Sequence, residues 1–175
     1  MALEHSYTSR RELDQYHFHP LVTVLAPLAL VVLQVILPKV WAPIGIVDLP
    51  LIAVIFFAVA RRSPIAGAVT GTLIGLFQDG LTNHPFGVFG IAKAMVGYVA
   101  ASIGFAVDVE NVLSRVLLNF GFSLVQSGLL FLIQRLMLAD RSVHPLLLHE
   151  LLRAVVNTVI AVPLFFVLDR FKVRD

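Results

Sequence analysis

Asp48, Asp79, Lys93, Glu150, Arg153 and Asn157 stand inside or at the edge of long apolar runs, and any chemistry this chain performs begins with them. A charge at the centre of a bilayer costs about 2.5–3.5 kcal/mol on insertion scales, so each charged member needs a partner or a task. The simplest partner is an opposite charge. Glu150 and Arg153 are spaced to meet on one helix, with Asn157 on the same face. Asp79 is the expected partner of Lys93. Asp79 and Glu150 would make a general acid–base pair if an enzyme site fixed their separation. The sequence contains no Gly-x-Ser-x-Gly, no His-Glu-x-x-His and no phosphate-cradling loop, and Ser63, Ser102, Ser123 and Ser127 have no visible base. No catalytic residue is expected, and the chain reads as a non-enzyme. His5, His17 and His19 lack the carboxylate or cysteine pattern that completes a metal site. Zero cysteines remove thiol chemistry, Fe–S ligation and disulfides. No metal and no cofactor is expected.

The elements that must hold these residues follow from composition. The 175 residues are 58% hydrophobic and 14% charged, with a mean hydropathy of +0.90. Soluble domains run at about 45–50% apolar and about 25% charged. A soluble core of this size could not hide so much apolar surface, so the expected class is an all-α integral membrane protein. Six spans of about 20 residues would use about 120 positions. The rest supplies a tail and loops, with no room for an ATPase module, a soluble catalytic domain or a periplasmic receptor domain. The net charge of +2 does not mark a nucleic-acid surface, because the basic residues sit at membrane edges rather than in one cluster.

Residues 1–19 read as a short polar tail, 20–170 as a bundle of six transmembrane helices and 171–175 as a second short tail. The apolar segments run over Leu21–Leu37, Ile44–Ala60, Pro64–Gln78, Phe86–Val107, Val112–Leu138 and Leu146–Leu168. Breaks fall at Pro38–Lys39, at Arg61-Arg62-Ser63-Pro64, at Asn83-His84-Pro85, over Asp108–Asn111 and over Asp140–Pro145. With a cytoplasmic N-terminus, Arg10, Arg11, Arg61, Arg62, Arg115, Arg170, Lys172 and Arg174 lie inside. Only Lys39, Arg135 and Arg141 lie outside. The positive-inside rule therefore places both termini in the cytoplasm.

Small residues show how the helices meet, because lipid offers helices no hydrophobic reason to associate. Gly67, Gly71, Gly75 and Asp79 recur every four residues along one face of the third segment. The fourth segment carries Gly87, Gly90, Ala94, Gly97, Ala101 and Gly104 at alternating spacings of three and four. These two segments are expected to form the tightly packed centre of the bundle. In the fifth, Arg115, Asn119, Ser123 and Gln126 fall within about 80° of helix circumference and read as a stripe facing protein. Lys93 lies about 12 Å along its helix from Pro85, too deep for comfortable lipid exposure. Under the inferred orientation, Asp48, Asp79, Lys93, Glu150 and Arg153 gather in the outer half of the membrane, with Arg135 near the same level. That cluster reads as a structural ion-pair network, as the lining of an outward-facing pocket for a partner, or as a transport or proton pathway.

The run from Gly67 through Gly71 and Gly75 to Gln78-Asp79-Gly80-Leu81, then Pro85-Phe-Gly-Val-Phe-Gly90 and a Gly97-Tyr98 helix, resembles the rod shape-determining MreD family. Gly71, Gly75 and Asp79 match its pattern best, and size and span count agree over most of residues 21–170. The resemblance implies an inner-membrane component of the bacterial elongation machinery. It would sit beside the bitopic protein MreC, which links to the MreB filament, and help position the peptidoglycan polymerase and transpeptidase. It carries over no catalytic residue, and it assigns no role to Lys93, Glu150 or Arg153. The S-components of vitamin uptake transporters are similar in size, span count and glycine-rich early helices, and such a substrate-binding subunit is the alternative. If the S-component-like fold holds, the pocket for a vitamin would here be closed by ion pairs or filled by MreC.

Overall fold

A computed structural model describes residues 17–18, 20–82, 85–107, 111–137 and 147–173. The remaining positions, including His5 and His19 of the polar tail and Arg141, lie outside the described residues. Six α-helices make up nearly all of the described chain: α1 Pro20–Val40, α2 Leu49–Arg61, α3 Pro64–Thr82, α4 Val88–Ile103, α5 Val112–Met137 and α6 Leu147–Asp169. Two-residue strands, β1 His17–Phe18 and β2 Lys172–Val173, pair antiparallel. A 3-10 turn, Ala42–Ile46, joins α1 to α2.

The break expected at Arg61-Arg62-Ser63-Pro64 holds, since α2 ends at Arg61 and α3 starts at Pro64, whereas Asn83-His84, residues 108–110 and the break over Asp140–Pro145 lie outside the described residues. Two expectations change. The helix α1 does not stop at Pro38; it runs through Pro27 and Pro38 to Val40. The segment expected over Ile44–Ala60 divides, because Asp48 caps α2 and its carboxylate accepts from the Leu51 N–H at 3.0 Å.

The centre of the bundle is α2, not the α3–α4 pair. Every residue from Leu49 to Ala60 is buried, and α2 touches all five other helices. A helix that is apolar on all sides is satisfied only when it is enclosed. The closest pairing is nevertheless that of α3 with α4. Peripheral helices turn large apolar side chains outward; Leu73 is 63% exposed, Leu117 62% and Val159 66%. Such a surface is the reverse of a water-soluble bundle.

Three helices, over Leu21–Val40, Val112–Leu136 and Leu147–Asp169, are long and apolar enough to cross a membrane. The helices α2 and α4 are apolar but shorter, about 20 and 24 Å at 1.5 Å per residue against a hydrocarbon core of about 30 Å. The architecture is that of a helical membrane protein.

One end of the bundle gathers the C-terminus of α1 and the N-termini of α2, α4 and α6, as the bond of Leu49 with Gln34 and the contacts of Asp48 with Lys93 and Arg153 require. The other end carries Arg61, Arg62 and Arg170, the pair Arg115–Asp169 and the β1–β2 bridge.

Candidate functional site: a buried polar cluster

Helix N-termini leave N–H groups without intrahelical partners, and in apolar surroundings each must find an acceptor. At the start of α2 two neighbouring helices and the cap residue's own side chain meet that demand. The Asp48 N–H donates to Asn157 Oδ1 of α6 at 2.8 Å, and the Leu49 N–H donates to Gln34 Oε1 of α1 at 3.0 Å. Pro50 has no N–H to satisfy, Leu51 donates to the Asp48 side chain, and Ile52 begins the helical ladder by donating to the Asp48 carbonyl at 3.3 Å.

The same aspartate anchors the charges. Asp48 Oδ2 receives Lys93 Nζ at 2.9 Å and Gln126 Nε2 at 2.6 Å, while Lys93 Nζ also donates to Gln126 Oε1 at 3.1 Å. Lys93 is 0% exposed and Asp48 1%, so the pair has left water completely. The Lys93 ammonium lies 4.7 Å from the Phe89 ring centroid, which adds a cation–π contact. Arg153 stands at the rim, with Nη2 3.7 Å from Asp48 Oδ2 and Nη1 3.9 Å from Glu150 Oε2. Four helices, α2, α4, α5 and α6, therefore close on one carboxylate, and α1 joins them through Gln34 at the neighbouring Leu49 amide.

Asp79 has a different task from the one expected of it. It does not pair with Lys93. Its oxygens accept from the N–H groups of Gly87 at 2.9 Å, Phe89 at 3.1 Å and Gly90 at 3.2 Å, capping α4 from the end of α3. Three donors and the positive end of the α4 dipole balance its charge locally, which leaves Lys93 to Asp48. Arg135 lies over the Phe131 ring at 5.7 Å, outside the cluster.

The glycines divide into two groups. A Cβ on Gly67, Gly71 or Gly75 would run into the backbone carbonyls of Gly97, Lys93 and Phe89 respectively, and one on Gly97 would meet Gly67. These residues are the antiparallel seam between α3 and α4, and Asp79 continues the same face to reach the start of α4. A Cβ on Gly90 would meet the Leu76 side chain at 2.9 Å, and one on Gly104 would meet the Val59 carbonyl of α2 at 2.7 Å. Gly87 does not belong to the seam. Nothing lies within 4 Å of its Cβ position, and its φ of 100° is the left-handed turn that delivers the α4 amides to Asp79.

The stripe on α5 faces protein. Arg115, Asn119, Ser123 and Gln126 are all buried; Arg115 pairs with Asp169 of α6 at 2.6 Å, and Ser123 Oγ accepts from Asn157 Nδ2 at 3.2 Å. Sequence reasoning passed over Gln34 and Gln78. Gln34 is the one polar residue in the apolar run Leu28–Leu37, and that isolation was the signal available. Among the described residues no group of three or more His, Asp or Glu is placed to hold a metal ion.

No family model matches the chain, and neither a curated protein nor a solved structure matches it.

Proposed function

We propose that this chain is a non-catalytic scaffold of the bacterial inner membrane, of the MreD type, which binds an MreC-like bitopic protein. Through that partner it would connect to MreB and the elongation polymerase and transpeptidase and maintain rod shape. The observation that carries the reading is the α3–α4 hairpin. Gly67, Gly71, Gly75 and Asp79, the run on which the resemblance rests, act together as one seam and one helix cap. The polar cluster supports a scaffold as well. Its central pair is enclosed and hydrogen-bonded, an arrangement that locks helices and offers no open path for a transported ion.

In this reading all six helices lie within the bilayer, with the short α2 wrapped by its neighbours. The β1–β2 bridge supports an even number of crossings, since it joins residues just before α1 to residues just after α6. Arg61, Arg62 and Arg170 at the bridge end favour that end as the cytoplasmic one, which puts both termini inside and Asp48 towards the periplasm.

The S-component reading keeps a specific observation in its favour. A cavity of about 760 Å³ lies at the Asp48 end, between Ile46, Phe89, Leu130, Phe131 and Arg153. Depletion of the protein in its own cells separates the two. The scaffold reading expects rods to widen and round up on rich medium; normal shape with a new requirement for a vitamin would overturn it.

A further inference from the structure

A second cavity, of about 470 Å³, lies between the end of α1, the start of α2 and the end of α3. Gln34, Lys39, Asp48, Gln78, Thr82 and Arg153 give it a polar wall. Its charge balance is positive. Asp48 is already occupied by Lys93 and Gln126, whereas among the described residues Arg153 has two ion pairs, with Asp48 and Glu150, both beyond hydrogen-bond length, and Lys39 is exposed. A guanidinium held loosely at two edges keeps donors for a third, anionic group. The second observation is Gln78. It is 4% exposed, and its Oε1 is a buried acceptor without a hydrogen-bond partner among the described residues. A buried orphan acceptor costs free energy unless something donates to it.

We propose that this cavity binds a phosphate group that adjoins a hydroxyl, the chemistry of a glycerophosphoryl headgroup. The phosphate sits on Arg153 and Lys39, and the hydroxyl donates to Gln78 Oε1. The larger cavity shares Gly45, Phe89 and Arg153 with this one, so space for an apolar body adjoins the phosphate site across the guanidinium. The site is independent of which protein partner the scaffold binds. The headgroup of a lipid and a soluble phosphate ester share this chemistry, and the probes distinguish them.

The test is titration of the detergent-purified full chain with dioctanoyl phosphatidylglycerol, dioctanoylglycerol and glycerol 3-phosphate, read by calorimetry. Saturable binding of the phospholipid at least about tenfold tighter than of dioctanoylglycerol is expected. Competition by glycerol 3-phosphate assigns the site to a soluble ester; its failure to compete assigns a lipid. Lys39→Gln, at an exposed position, and Arg153→Gln should each weaken binding about tenfold or more. Gln78→Leu should weaken it several-fold while leaving the ligand-free melting temperature equal or higher, because it removes an unsatisfied buried group. Equal binding of the two lipids, or unchanged binding by Lys39→Gln and Gln78→Leu, would overturn the proposal, and these two variants keep that test open if Arg153→Gln fails to fold.

Discussion

Asp48 is a helix cap, the counter-ion of a fully buried lysine and the meeting point of four helices, α2, α4, α5 and α6. Removing one member of a buried pair strands the other, which costs about 3–5 kcal/mol in soluble proteins. Lys93→Met and Asp48→Asn should therefore each lower thermal stability in detergent strongly. The double variant should be about as stable as either single one rather than twice as destabilised, a coupling of about 3 kcal/mol in a double-mutant cycle. The same cycle between Lys93 and Asp79 should give a much smaller coupling, because Asp79 makes its hydrogen bonds to three backbone amides and not to Lys93. That Lys93 needs a partner was legible in the sequence. Which partner it takes was not, since the separation of Asp48 from Lys93 in space is set by how α2 nests among the other helices.

At the scale of elements, helix limits were readable from hydropathy and turn residues to within a few positions. The central place of α2 was not. An enclosed helix and a lipid-facing helix are both apolar, and composition does not say which neighbour supplies the apolar contact. Glycine spacing was a better guide, because only close backbone approach requires a repeated absence of Cβ. Gly71→Ala would drive a methyl group into the Lys93 carbonyl and should cost about 1–3 kcal/mol of stability. Gly121 and Gly128 have nothing within 4 Å of their Cβ positions. Alanine at either should be neutral or stabilising by up to about 1 kcal/mol through helix propensity. Thermal melts of the three variants check the contrast.

Across the whole molecule, the polar residues sort by end and by depth. The bridge end carries exposed arginines, the Asp48 end carries the enclosed network and two cavities, and lipid-like surface lies between. A bundle tied together at its core while apolar on its flanks suits a protein whose work is to hold neighbours in the bilayer. Affinity purification of the tagged chain in mild detergent, with mass spectrometry of proteins and small molecules, tests that most directly. Recovery of a bitopic coiled-coil protein together with cell-wall synthases is the predicted result. Recovery of paired ATPases with a stoichiometric vitamin-like molecule, and no bitopic partner, would contradict it.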